Sequence, residues 1–228
     1  MSSSSSIAKF TIPELSELDV EAYYIPNFIS LAEAERLFSI LEEKYPFHQE
    51  KTTVFGKTFD QPRLTRFMGD EGQTFNYSGQ ERPAVPWINE VVDLKTLVHT
   101  ECKKFRTNHP EFNVVLGNYY EDGNKYIGDH ADDETDHEQD AFIASLSLGA
   151  ARDFWVRDKK TGRLIKTISL EPGSLFLMGK NFQAKLKHGL PKRKKVTRPR
   201  INLTFRRFAE NRSGSRISRS KNDMTNSG

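Results

Sequence analysis

The sequence predicts an α+β domain: a double-stranded β-helix, or jelly-roll, with helices packed on one face. Three observations carry this. Two early stretches place apolar residues at helical spacing. From Phe112 the period changes to two and persists through many short segments separated by turn residues. No internal repeat divides the 228 residues, so one large domain accounts for the length.

In order, residues 1–10 read as a disordered lead, 11–210 as the domain, and 211–228 as a disordered basic tail of Ser, Arg and Asn with little to bury. Ser30-Leu31-Ala32-Glu33 is a capping box, and Ala34, Leu37, Phe38 and Leu41 follow at helical spacing, which predicts a helix over 31–44. Val54-Phe55-Gly56-Lys57 sets two apolar residues beside a turn. Taken alone, it reads as a hairpin whose apolar pair folds back on the core. Pro86-Trp87 opens a second helix, with Val91, Leu94, Val98 and Phe105 on one stripe. Cys102 shares that stripe and reads as a small buried hydrophobe rather than a nucleophile. Strands are expected at 112–118, 142–148, 154–156, 164–170, 175–178, 182–188 and 200–207, after two helices that make residues 11–110 the helical part and 111–210 the jelly-roll.

Composition narrows the chemistry. About a third of the residues are hydrophobic, enough for a proper core. The single cysteine excludes an internal disulfide and any Cys-based zinc or iron–sulfur site, and suits a reducing, intracellular compartment. No apolar run reaches the ~20 residues that span a bilayer, and the serine-rich start has no secretory pattern. The net charge of +3 hides an asymmetry: residues 121–140 hold nine acids and one Lys, while 180–221 hold fifteen Lys and Arg against Glu210 alone. Such a basic region favours a polyanion partner, although 211–228 also reads as a merely solvated tail.

The chain is organised around Asn118-Tyr119-Tyr120-Glu121-Asp122-Gly123, which runs on to His130-Ala131-Asp132-Asp133-Glu134. In an extended segment His130 and Asp132 point the same way. With the distant His188 they would form the two-histidine, one-carboxylate face of a non-haem iron(II) oxygenase. A polar surface loop is the plainer reading of the acidic stretch; an EF-hand calcium loop lacks its register. In Arg200-Ile201-Asn202-Leu203-Thr204-Phe205-Arg206 the odd positions are apolar and the even ones polar. The polar row is either an ordinary water-facing strand face or a cradle for a dicarboxylate, which a guanidinium pairs bidentately.

Together these residues resemble the AlkB-type iron(II)/2-oxoglutarate dioxygenases, over about two thirds of the chain. The motifs are Asn118-x-Tyr120-x-x-Gly123, His130-x-Asp132-Asp133-Glu134, His188, and Arg200-x-Asn202-Leu203-Thr204-Phe205-Arg206. The eukaryotic DNA-repair branch is the most similar. It carries a Val-Phe-Gly-Lys hairpin (Val54, Phe55, Gly56, Lys57), an aromatic segment (Phe75, Tyr77, Ser78) and a basic loop (Arg193, Lys194, Lys195). Phe75 stands where Tyr is usual, and Thr58-Phe59 departs after the hairpin.

The resemblance implies iron(II) on His130, Asp132 and His188, with dioxygen and 2-oxoglutarate as cosubstrates. It implies 2-oxoglutarate on Asn118, Tyr120, Arg200, Asn202, Thr204 and Arg206, with Arg200 at the end away from iron. Phe75, Tyr77, Ser78, Asp133 and Glu134 would meet the base. The hairpin tip would wedge into duplex DNA, with Arg63, Arg193, Lys194 and Lys195 on the backbone. The reaction implied is oxidative demethylation of 1-methyladenine and 3-methylcytosine in DNA, releasing formaldehyde, succinate and carbon dioxide, by a monomer that is nuclear if eukaryotic. An RNA or protein demethylase on the same scaffold is the alternative. A binding protein with a dead site would release no succinate, and a zinc hydrolase would leave the arginine strand unexplained.

Overall fold

The computed structural model describes residues 8, 10–54, 56–77, 80–132 and 141–209. Its elements run α1 (Pro13–Ser16), β1 (Ala22–Ile25), α2 (Leu31–Lys44), β2 (His48–Val54), β3 (Lys57–Gly69), β4 (Thr74–Tyr77), β5 (Gln80–Pro83), α3 (Asn89–Phe105), β6 (Val114–Tyr120), β7 (Ile127–His130), β8 (Ile143–Gly149), β9 (Arg152–Asp158), β10 (Leu164–Leu170), β11 (Leu175–Met178), α4 (Phe182–Lys185), β12 (Leu186–Leu190) and β13 (Arg200–Arg206). They build a seven-stranded sheet in the order β1-β11-β8-β13-β6-β3-β2, a four-stranded sheet β10-β9-β12-β7, and a two-stranded ribbon β4-β5. The larger sheet draws β1, β2 and β3 from before residue 110 and the rest from after it.

The larger sheet divides two environments by the period-two pleat. On one face Ala144, Leu146, Leu148, Ile201, Leu203 and Phe205 pack against α2 and α3. Helix α2 spans the expected 31–44, and the Ser30 hydroxyl accepts from the Glu33 amide at 3.2 Å, which satisfies an orphan donor at its start. Its Ala34, Leu37, Phe38 and Leu41 are buried. In α3 the buried stripe is Val91, Leu94, Val98 and Cys102. This helix starts three residues later than Pro86 suggests. The Trp87 indole donates to Asp70 at 2.7 Å and Val85 bridges to Met68, so 85–87 belong to the sheet margin.

The other face meets the smaller sheet. Ile143, Phe176 and Met178 pack there with Phe154, Val156, Ile168 and Leu170. The expected strand over 182–188 divides in two. Asn181 takes a left-handed φ of 65°, the Lys185 amide donates back to the Asn181 carbonyl at 3.0 Å, and Phe182–Lys185 form a helical turn before β12. That turn holds Phe182 in the core and Gln183 at the site described below.

Two glycines fix close approaches. Gly117 lies under the Tyr45 ring, and a Cβ there would overlap the ring carbons. The Tyr45 hydroxyl donates to the Arg66 carbonyl at 2.9 Å, so the ring cannot simply turn away. At Gly123 the amide donates to the Val196 carbonyl at 2.7 Å and its carbonyl accepts from the Arg193 amide at 2.6 Å; a Cβ would strike the Arg193 carbonyl. The turn after β6 is thus stitched to the basic loop.

Gly117→Ala should lower stability by about 1–3 kcal/mol through overpacking and Tm by roughly 3–10 °C, measured by thermal unfolding.

Candidate active site

The polar row of β13 does not face water. All seven residues of the strand are buried, and the even positions look into a cavity of about 130 Å³ between the two sheets. The register sets Arg200 opposite Tyr120 and Asn202 opposite Asn118 on β6, and Asn202 opposite Ser147 on β8. Arg200 donates to the Ser147 hydroxyl at 3.0 Å, and its Nε has no acceptor. Its guanidinium lies 5.5 Å from the centre of the Tyr120 ring. Burial pushes the Arg200 pKa down to about 10, with Tyr120 opposing. Asn202 donates to the Ser145 hydroxyl at 2.8 Å and accepts from the Thr204 hydroxyl at 3.0 Å.

Among the described residues lining the cavity, Arg63, Arg200 and Arg206 face one carboxylate, Asp132. Taking guanidinium groups out of water is expensive unless an anion compensates. The cavity therefore suits a small dianion.

At the other end of the cavity, His130 and His188 are directly opposed in the β7–β12 ladder, which projects both rings to one side, their centres 4.3 Å apart. Asp132 follows two residues after His130. Its carboxylate lies 3.5 Å from His130 Nε2 and 3.8 Å from His188 Nε2, and the donor atoms of all three residues fall within 4.8 Å of one another. An ion with bonds of about 2.0–2.2 Å draws such a set together with small side-chain shifts. His130 Nδ1 lies 2.9 Å from the Gly128 carbonyl; donating its proton there turns the Nε2 lone pair towards Asp132. The His188 ring is held by packing, with Phe154 at 5.1 Å and Phe182 at 5.9 Å. Gln183 accepts from the Asp132 amide at 2.9 Å.

The electrostatics favour the metal-binding forms of Asp132 and His188. Burial opposes ionisation of Asp132, but Arg206, 2.8 Å away, and the two histidines outweigh it and hold its carboxyl well below the usual range. Burial, with His130 and Arg206 nearby, pushes His188 down to about 3, so it stays neutral. For His130 burial is outweighed by Asp132 and the Gly128 carbonyl, and its pKa rises.

The structure thus brings together all three expected metal ligands and all six residues expected around the dicarboxylate. It corrects one expectation. Arg63 is not on the surface: it is 6% exposed, and its Nε donates to Asn118 Oδ1 at 2.7 Å. The alternation of β3 turns it inward, where it orients a cavity residue. Arg193 already has a partner in Asp153 at 2.6 Å, whereas Lys194 and Lys195 are exposed. Phe55, Ser78, Asp133 and Glu134 lie outside the described residues. Val54 and Gly56-Lys57 flank the turn of the β2–β3 hairpin, and Phe75 and Tyr77 lie on β4. Sequence reasoning missed Ser145, Ser147 and Gln183. The two serines two apart in an otherwise apolar strand were a usable signal; Gln183 carried none.

A family model described as the 2OG-Fe(II) oxygenase superfamily matches residues 21–206. The chain is 36% identical over 190 residues to the DNA oxidative demethylase ALKBH2 of Bos taurus, an alignment covering 78% of this chain and 65% of that protein. It is 33% identical to the alpha-ketoglutarate-dependent dioxygenase alkB homolog 3 of Mus musculus, covering 79% and 64%. The chain thus spans slightly less than two thirds of the length of these relatives. A solved oxidoreductase of the 2OG-Fe(II) oxygenase family from Burkholderia pseudomallei shares the fold, with a TM-score of 0.57 at 17% identity over 88% of this chain and 90% of that one.

The lowered His188 pKa makes metal-free stability depend on pH. Unfolded His188 takes up a proton below its ordinary 6.5 and the folded residue does not until about 3, so stability falls as pH drops through that window. Raised His130 acts in the opposite direction. In chelator-treated protein, His188→Gln should therefore remove about 2 kcal/mol of the loss between pH 7 and pH 5, read from urea unfolding.

Proposed function

We propose, on the premise that this chain belongs to the 2OG-Fe(II) oxygenase superfamily and is an iron(II)/2-oxoglutarate-dependent dioxygenase, that it oxidatively demethylates alkylated bases in DNA. Its preferred lesions on this reading are 1-methyladenine and 3-methylcytosine. The observation that carries the cosubstrate is the arginine-lined cavity running up to the His130, Asp132 and His188 cluster. The names of the relatives support the DNA substrate.

His130, Asp132 and His188 would hold iron(II), which when bound supplies the activation of dioxygen. Arg200, with Ser147 and Tyr120 around it, would take the 2-oxoglutarate carboxylate farthest from the metal. Arg206, beside Asp132, would take the near one, and Asn118, Asn202 and Thr204 would set its orientation. Arg63 holds the Asn118 amide in place. Hydroxylation of the N-methyl carbon gives a hemiaminal, whose C–N bond breaks to release formaldehyde and the restored base.

A base inside a duplex cannot reach this cavity and must be flipped out, at a cost of a few kcal/mol. Val54, Phe55, Gly56 and Lys57 are proposed as the wedge that fills the gap. Phe75, Tyr77, Ser78, Asp133 and Glu134 are proposed to receive the base, and Lys194 and Lys195, anchored through Arg193, to meet phosphates. No helix of the described residues is long and apolar enough to cross a membrane; a monomer acting in the nucleus fits this reading.

The reading is tested by comparing methylated single-stranded DNA, duplex DNA and RNA for iron-dependent succinate and formaldehyde release, with His130→Ala as the control that should abolish both. Preference for RNA would move the substrate class, and turnover in His130→Ala would remove the metal assignment. Arg200→Ala should weaken 2-oxoglutarate binding by about 2–5 kcal/mol, since a buried charge-assisted partner is lost; titration of the cosubstrate measures it. Phe55→Ala should impair duplex repair far more than single-strand repair and leave the salt slope of DNA affinity unchanged. Removing Lys194 or Lys195 should each reduce that slope by about 1.

A further inference from the structure

A second, smaller cleft lies between the cavity face of β3 and the ribbon strand β5. Glu50, Gln61, Thr65, Phe67 and Arg82 wall it, and it adjoins the metal cavity through Arg63 and Leu116, which line both. Arg82 on the ribbon pairs with Glu50 on β2 at 3.1 Å. The space is about 30 Å³. At ~10–15 Å³ per water centre, that is room for an exocyclic atom or about two waters, not for a whole base.

Gln61 is the residue that makes this cleft unusual. On β3 the inward positions are Gln61, Arg63, Thr65 and Phe67, all buried. The register shift opposite Glu50, between the pairs Gln49–Leu64 and Lys51–Asp60, retains that alternation. An apolar side chain would satisfy such a position. Gln61 instead places a carboxamide there, 5% exposed, with no hydrogen-bond partner for its Nε2. An unpaired buried donor costs about 1–3 kcal/mol. The neighbouring acceptor does not relieve it: the Glu50 carboxylate pairs with Arg82 and makes no hydrogen bond to Gln61 Nε2. The cleft thus offers the Gln61 Nε2 donor and awaits an acceptor.

We infer that Gln61 is a base-reading residue, whose Nε2 donates to a carbonyl oxygen on the edge of the flipped-out base. This rests on the demethylase reading above. The two lesions differ in this group: 3-methylcytosine carries its O2 carbonyl next to the N3-methyl, and 1-methyladenine carries no carbonyl oxygen. Gln61 therefore tilts the enzyme towards the methylated pyrimidine.

The test uses two single-stranded oligonucleotides alike except for the lesion, so that duplex opening plays no part, and reads kcat/KM by formaldehyde release. Gln61→Leu should lose about tenfold on 3-methylcytosine and less than about twofold on 1-methyladenine. Gln61→Glu, nearly isosteric, should lose at least as much on 3-methylcytosine because it sets a carboxylate against a carbonyl, and it carries the comparison if the leucine variant fails to fold. Anisotropy titration of the same oligonucleotides without 2-oxoglutarate should show the same shift in the ratio of Kd values. Equal losses on both bases would make Gln61 a residue of the fold only, and unchanged values on both would mean that the cleft holds water; either overturns the inference. Absence of wild-type turnover on both bases is a distinct result, which removes the demethylase reading and this inference with it.

Discussion

The ion pair between Arg206 and Asp132 joins the two sheets where the chemistry has to occur. Arg206 is the last residue of β13, in the larger sheet; Asp132 follows β7, in the smaller one; they are 2% and 6% exposed. Losing one partner of such a pair strands a charge in a low-dielectric interior at about 3–5 kcal/mol. The pair does three things at once. It keeps the carboxylate ionised and available to a cation, it fixes the distance between the sheets, and it sets positive charge at the metal end of the cavity. The other arginine of the row, Arg200, has no carboxylate and rests on Ser147 and the Tyr120 face. One arginine of the row thus has a carboxylate partner within the protein, and the other does not.

Much of this was legible in the sequence because β-strand alternation is strict when one face is buried. The polar row of β13 and the apolar stripe of α2 follow directly from residue spacing. Burial of the polar row did not follow, since a polar strand face looks the same whether it meets water or a cavity. Arg63 was misplaced for a related reason: β3 mixes polar and apolar residues on both faces, so its period names no inner side. The stretch 182–188 alternates as a strand should, yet the left-handed Asn181 turns its first half into a helix. A single backbone conformation outweighed the pattern.

The substrate side is built on a different principle from the metal side. The cavity sits in the middle of two sheets whose registers fix every donor. The hairpin β2–β3 and the ribbon β4–β5 extend from it and are tied to each other through Arg82 and Glu50. The cavity wall and the hairpin share one strand, β3, whose inner end carries Arg63 and Phe67 and whose outer end carries Lys57 and the exposed Phe59.

The position of β13 also bears on how the molecule is made. It follows every other described strand in the chain, yet lies in the middle of the larger sheet, between β8 and β6. Until it is synthesised, β8 and β6 expose two unpaired edges facing one another across a strand-wide gap, and unpaired edges invite pairing with other chains. Sheet closure waits for contacts between distant parts of the chain, which favours slow folding. The half-built sheet is thus open to mispairing, and a ribosome that stops before residue 200 leaves a product with no central strand and without Arg206 beside Asp132.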